Sequence, residues 1–339
     1  MLKVRQWYLN FIKAEERNFL EQGVYLGLLF LSYLWAAVVG TKNFLYDSKL
    51  LTPARLSKKV ISVGNLCWGG TGKTSLVSYL HKKLREGARV CTVTKGYAPD
   101  EYSLLKEEVG EVCDARDRVG LMQTLSADYD LFILDDGFQY RKVYRDLDII
   151  LLRKEDVGDK ISLIPASNFR EPLRNVRRAD MVVITYCTPQ GGQLAKKRLL
   201  ELKADLKIFF ADYLCEGIVD KEKRNVSGEY FRDKNVGILT AIGYPEGFVK
   251  KVQESGIMPS KVVIYPDHYH IGQKTLEEIE STFIKEGITD ILITHKDFYH
   301  IDFRGATLNY FIFRVTLKIS EEAQFLAEVH NVLAHKRSE

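Results

Sequence analysis

The run Val60-Ile61-Ser62-Val63-Gly64-Asn65-Leu66-Cys67-Trp68-Gly69-Gly70-Thr71-Gly72-Lys73-Thr74 constrains this chain more than any other stretch. A short β-branched segment enters a glycine-rich turn, and Lys73-Thr74 opens a helix-compatible segment over residues 75–84. Strand, glycine-rich loop and helix in that order make a phosphate-binding unit. Glycines let backbone N–H groups curl round a phosphate, a lysine ammonium reaches the β- and γ-phosphates, and a threonine hydroxyl ligates Mg2+. The nucleotide-contacting set is therefore Gly69, Gly70, Thr71, Gly72, Lys73, Thr74 and Ser75. The full GxxxxGK[ST] pattern has glycine where Cys67 stands, and Gly69, Gly70 and Gly72 supply the freedom instead. An incidental Gly-Lys-Thr in a tight turn is the plain alternative, but the flanking strand and helix favour a nucleotide.

The length of 339 residues suggests two domains, with ample chain for a large core. A net charge of +4 implies no nucleic-acid partner. The five cysteines (67, 91, 113, 187 and 215) are scattered, with neither CxxC nor Cys/His metal spacing, so they read as reduced cytosolic thiols.

Residues 24–39 carry no charge. At 16 residues the run falls short of the roughly 20 that span a bilayer as a helix. It starts late for a signal peptide and is soon followed by a loop that needs cytosolic nucleotide. Three readings stay open: a buried core helix, a short span, or a helix lying in the membrane interface. In the last, Tyr25, Tyr33 and Trp35 sit at headgroup depth, and Lys42, Lys49, Arg55, Lys58 and Lys59 meet anionic lipid.

After the loop and its helix come a strand over 89–94 and a helix-compatible segment ending near 108. The apolar strand 131–134 runs into Asp135 and Asp136, which places two carboxylates at the edge of the sheet where open α/β folds bind ligands. Beside a phosphate loop such carboxylates hold Mg2+; standing alone they would read as an Asp-Gly turn. Further continuous apolar strands over 147–152 and 181–186 fit a parallel sheet buried on both faces. The loop 163–173 sets Arg170 beside Glu171, either to contact phosphate or metal or as a surface salt-bridge cluster. Residues 213–232 read as a polar connection and a domain boundary. Beyond it, strands over 236–240, 262–265 and 290–294 alternate with helices, while 310–319 alternates like an antiparallel or edge strand. His268 lies in Pro266-Asp267-His268-Tyr269 and, taken alone, reads as a structural histidine in a turn. The pattern predicts an α/β fold: a P-loop NTPase-like, mostly parallel sheet with helices on both faces, plus a second, smaller α/β domain. The expected division is an N-terminal helical, membrane-associating segment over 1–48, a core domain over 49–212 and a C-terminal α/β domain over 213–339.

Several motifs in order carry a family resemblance: LSYLWAAVVGTKNFLYD, SVGNLCWGGTGKTS, TKGY, LDDGFQYRKVYRDLDIILL, LIPASNFREPLR with RRAD after it, YPDHY and ITHKD. Together they resemble the tetraacyldisaccharide 4′-kinases of lipid A biosynthesis, from about residue 24 to 297. The resemblance implies an ATP- and Mg2+-dependent lipid kinase on the cytoplasmic face of the bacterial inner membrane. Its acceptor would be the 4′-hydroxyl of an acylated glucosamine disaccharide 1-phosphate, its product lipid IVA, and no protein partner is implied. It matches Lys73 and Thr74 to the phosphate-loop lysine and magnesium threonine, and Asp135 and Asp136 to the Walker-B pair. The resemblance places Asp100 at the aspartate of a Gly-Asp-Glu-Pro motif, the family's base, and His268 at the histidine that acts with it. Arg170 and Glu171 match a loop that approaches nucleotide and metal. Two departures stand out: Tyr140 replaces the family's usual histidine, and Pro99-Asp100-Glu101-Tyr102 follows a shortened loop. The alternatives are a P-loop kinase for a small polar substrate and a membrane-bound nucleotide switch or ATPase without lipid phosphorylation.

Overall fold

The computed structural model describes residues 8, 11, 12, 14, 16–95, 99–158 and 162–334. In chain order the elements begin with α1 (Phe19–Asp47), β1 (Lys59–Asn65), α2 (Lys73–Leu84), β2 (Val90–Thr94) and α3 (Pro99–Val109). Next come β3 (Val112–Asp114), α4 (Arg118–Thr124), β4 (Leu131–Asp135), β5 (Leu147–Arg153), β6 (Met181–Thr185) and α5 (Gln193–Leu202). The strand β7 (Lys207–Asp220) is followed by β8 (Asn225–Val226), β9 (Val236–Thr240), α6 (Pro245–Glu254), β10 (Pro259–Ile264) and α7 (Gln273–Ile284). Then follow β11 (Asp290–Thr294), α8 (His295–Phe298), β12 (Asn309–Ile319) and α9 (Glu322–Ala334).

The chain forms two compact units. Unit 1 takes Met1–Gly96, Val109–Asp212 and Ile319–Glu339; unit 2 takes Tyr97–Glu108 and Tyr213–Lys318. This differs from a linear partition in two segments: α3 belongs to unit 2 up to Glu108, and α9 belongs to unit 1. The reasons are long-range contacts invisible to local pattern. In unit 1, Phe325 of α9 packs its ring 5.2 Å from Phe209, and Tyr79 donates to Glu322 at 2.7 Å. In unit 2, Glu107 of α3 pairs with Lys223 at 2.7 Å.

Unit 1 is a parallel sheet in the order β7-β6-β5-β1-β4-β2-β3. The strand β1 is central and its Val60, Ile61 and Val63 are fully buried, which is why a continuous β-branched run was needed there. Register pairs Val63 with Asp135, setting the end of β4 beside the start of the glycine-rich loop. Unit 2 carries the parallel order β10-β9-β11-β12 around a core that includes Leu239, Phe283, Ile291 and Ile312.

Two expectations change, and one open reading closes. Residues 213–220 are not a loose connection but continue β7, which turns into an antiparallel pairing of Ile218 with Val226. Residues 310–319 do not form an antiparallel edge: β12 pairs in parallel with β11, and its residues 310–313 are all buried. The N-terminal run is no core helix. α1 extends to 29 residues, starts at a capping box formed by Asn18 and Glu21, and buries only Ser32, Val39 and Asn43. By length and composition it can cross a membrane.

Candidate active site

In unit 1 the chain leaves β1 at Asn65 and enters the glycine-rich loop, whose first residues are clamped by the loop 163–173. Cys67 and Phe169 form an antiparallel bridge, Trp68 N–H donates to Asn168 O at 2.7 Å, and Arg170 N–H donates to Leu66 O at 2.7 Å. Thr71 is buried and pinned from two sides: Asn65 Nδ2 donates to its hydroxyl at 2.9 Å and Thr185 Oγ1 to its carbonyl at 3.0 Å. Gly72 then takes φ 86°, a left-handed conformation open to glycine at no steric cost, and caps α2. Lys73, Thr74 and Ser75 form the first turn, with their N–H groups and the helix dipole facing the loop. Burial pushes the Cys67 thiol up to about 12, so the residue replacing the pattern's glycine stays a neutral filler.

The end of β4 faces this loop. Asp136 adopts φ 50°, and its carboxylate accepts two bonds from Arg170, from Nη1 at 2.8 Å and from Nη2 at 2.7 Å. The same guanidinium bonds Asn65 Oδ1 and Asn65 O, so Arg170 links the β4 carboxylate to the last residue of β1. Lys73 Nζ stands 3.8 Å from Asp136 Oδ1. Burial works to raise the Asp136 carboxyl, but the charges of Arg170 and Lys73 outweigh it and hold the group well below the usual carboxylate range. Asp135 is buried beside it, and its carbonyl accepts from Arg118 Nη1 at 2.9 Å. The following Gly137 is required by close approach: a Cβ there would lie 2.6 Å from Ser62 Oγ and 2.9 Å from Leu134 Cβ.

Lys73, Asp136 and Arg170 thus come together as expected from the sequence. Glu171 does not join them. It is buried, and its Oε2 accepts from Arg178 at 2.5 Å, Asn175 at 2.6 Å and Asn43 at 3.3 Å. Among the described residues no three of His, Cys, Asp and Glu gather as a metal-binding group. All three bonds fall on Oε2 and tie the buried Glu171 carboxylate to Arg178, Asn175 and Asn43. Asn65, which braces both Thr71 and Arg170, was missed in the sequence; its place at the end of β1, before the glycines, was the available signal. Tyr140, the departure from the family's histidine, lies face-on to the buried Arg118 guanidinium at 4.0 Å.

One stripe of α1 docks onto these same loops. Trp35 Nε1 donates to Arg170 O at 3.0 Å, Lys42 Nζ to Gln139 O at 2.8 Å, and Asn43 reaches Glu171. Ser32 Oγ accepts from Leu163 N–H at 2.7 Å. The spacing 32, 35, 39, 43 follows one helical face. The other faces leave Phe19, Leu20, Phe30, Val38 and Phe44 each more than half exposed.

In unit 2, α3 and the turns after β10 and β11 bring charged groups together. His268 takes φ 61°, and its N–H donates to Ala241 O at 3.1 Å. Its Nε2 lies 3.5 Å from Asp267 Oδ2 and 3.8 Å from Glu101 Oε1. Asp100 falls in the first turn of α3, but its side chain lies outside the described residues.

A family model described as tetraacyldisaccharide-1-P 4′-kinase matches residues 24–99 and 98–334 of this chain. The chain belongs to that family. Its two matched stretches meet at the shortened segment before Asp100. Among relatives, the tetraacyldisaccharide 4′-kinase of Aquifex aeolicus is 35% identical over 279 residues, covering 75% of this chain and 85% of the relative. The Chlamydia trachomatis enzyme of the same name is 27% identical over 86% of this chain and 85% of its own. The solved structure of LpxK from Aquifex aeolicus in complex with ATP superposes with a TM-score of 0.68 at 29% identity, over 91% of this chain and 99% of that one. The family fold and the α/β architecture read from the sequence agree.

Proposed function

We propose that this protein transfers the γ-phosphate of ATP to the 4′-hydroxyl of tetraacyldisaccharide 1-phosphate, giving lipid IVA, at the cytoplasmic face of the inner membrane. The observation that carries the reading is the direct bonding of a lipid-compatible helix to a nucleotide loop. Trp35 and Asn43 of α1 hold the same Arg170-Glu171 segment that braces Asp136 beside Lys73. A four-chain acceptor needs an apolar landing surface, and α1 offers one next to the phosphate site.

Phosphoryl transfer proceeds through a loose transition state, so positioning and charge neutralisation dominate. The amides of Gly69 to Gly72 and the first turn of α2 orient the phosphates, and Lys73 neutralises charge on the transferring group. The hydroxyl of Thr74 and the carboxylates of Asp135 and Asp136 are the hard oxygen donors that would hold Mg2+. Bound there, Mg2+ would neutralise charge on the β- and γ-phosphates. Arg170 and Lys73 keep the Asp136 carboxylate ionised. In unit 2, the base role falls to Asp100 with His268 as its partner.

The test is transfer of labelled γ-phosphate from Mg·ATP to tetraacyldisaccharide 1-phosphate in mixed micelles. A bis-phosphorylated lipid is expected, and free phosphate without lipid product would sink the proposal. For the membrane role, Phe30→Asp with Val38→Asp is expected to abolish flotation with anionic liposomes while leaving the fold intact. Unchanged flotation would remove α1 as the lipid-facing element.

A further inference from the structure

We propose that Lys296 is a positioning residue for proton handling in this reaction: it keeps the His268 imidazole neutral, with its ring proton on Nδ1. The inference rests on the kinase reading above and deepens it. The Lys296 ammonium lies 3.4 Å from His268 Nε2, 3.2 Å from Asp267 Oδ1 and 3.3 Å from Glu101 Oε1. An ammonium has only protons to offer, so Nε2 is the acceptor in this contact and the neutral ring carries its hydrogen on Nδ1.

The groups facing His268 pull in opposite directions. Glu101 from α3 and Asp267 from its own turn favour imidazolium; Lys296 from α8 opposes it, and the ring of His300 stands edge-on with its centroid 6.0 Å away. Removing the ammonium would leave two carboxylates facing Nε2 and drive the ring to its charged form. A neutral imidazole can take up at Nε2, as the Lys296 contact gives way, the proton that Asp100 draws from the sugar hydroxyl; an imidazolium cannot.

The contact is built on a rigid base. The adjacent Asp297 is fully buried and accepts from Thr240 Oγ1 at 2.8 Å, Ala241 N–H at 2.7 Å and Thr294 Oγ1 at 2.7 Å. Ala241 in turn receives the His268 N–H through its carbonyl. One buried carboxylate therefore fixes the two turns that present Lys296 and His268. Glu101, in this arrangement, anchors α3 to the ammonium.

The experiment is the pH dependence of kcat and of KM for ATP in wild type, Lys296→Met and Lys296→Arg, read with spectra of 15N-labelled histidine assigned by His268→Asn. The acid limb of kcat is expected to move up by about one pH unit in Lys296→Met, a loss of about tenfold on that limb that largely recovers at high pH. Lys296→Arg should keep the wild-type limb, and KM for ATP should stay level in both variants. An unmoved limb, a loss equal at every pH, or a change confined to KM overturns the proposal. In the wild-type spectrum the His268 Nε2 is expected to be unprotonated at neutral pH, and a proton there overturns it too, even if Lys296→Met does not fold. If the wild type phosphorylates no lipid, the kinase reading falls, while the histidine spectra still decide the role of Lys296.

Discussion

Replacing Arg170 with methionine tests the brace at the centre of the nucleotide site. The guanidinium gives Asp136 two charge-assisted bonds at 2.8 and 2.7 Å, with side-chain exposures of 16% for Arg170 and 29% for Asp136. Such bonds contribute about 1.5–3 kcal/mol each, and partial exposure lets water recover some of the loss. A net destabilisation of about 2–3 kcal/mol follows. With a urea slope of about 3 kcal/mol/M, the unfolding midpoint should fall by roughly 0.7–1 M. The pH dependence has a definite sign. Asp136 is held below its ordinary value in the folded protein, so its contribution is full above the unfolded carboxyl pKa of about 4 and is lost as pH falls towards the folded value. The gap between wild type and Arg170→Met should therefore be complete at pH 7 and narrow below about pH 4. Function should suffer as well. Lys73, 3.8 Å away, is then drawn towards Asp136 and away from the phosphates, raising KM for ATP by about tenfold, or 1.4 kcal/mol. An unchanged midpoint together with an unchanged KM would refute the brace.

Other outcomes are expected from the same structure. Lys73→Ala should remove lipid phosphorylation in the labelled-ATP assay, with the urea midpoint close to wild type. Asp100→Ala should slow turnover by orders of magnitude while calorimetric ATP binding persists; an unchanged rate would retire it as the base. Gly137→Ala forces a Cβ to within 2.6 Å of Ser62 Oγ and should cost about 1–3 kcal/mol in chemical denaturation, partly relieved by adding Ser62→Gly.

The nucleotide half of the site was legible because its chemistry is written in consecutive residues. A buried β-branched strand, glycines and Lys73-Thr74 lie within one turn of each other, and the β4 carboxylates end an unmistakable apolar run. The motif of Arg170 pointed to the right neighbourhood. What failed was whatever depends on distant partners. The partners of Glu171, namely Arg178, Asn175 and Asn43, could not be read from its own motif. The parallel pairing of β12 and the antiparallel turn of β7 onto β8 are set by which strand lies alongside, to which strand periodicity is blind. The charge-free run 24–39 is shorter than α1, which extends beyond it at both ends. Towards its end Lys42 donates to Gln139 O, and Arg141 donates to Asp47, the last residue of the helix.

The interleaving of the two units has a consequence for synthesis. Unit 1 cannot be completed when residue 212 emerges from the ribosome, because Phe209 and Tyr79 wait for Phe325 and Glu322 of α9. Unit 2 borrows α3, made more than a hundred residues before β7 enters it, to neutralise Lys223 and Lys296. A fragment cut at 212 would deprive both halves of partners, so neither is a ready module for transplantation. The nascent chain must hold α3 in reserve until its later partners arrive.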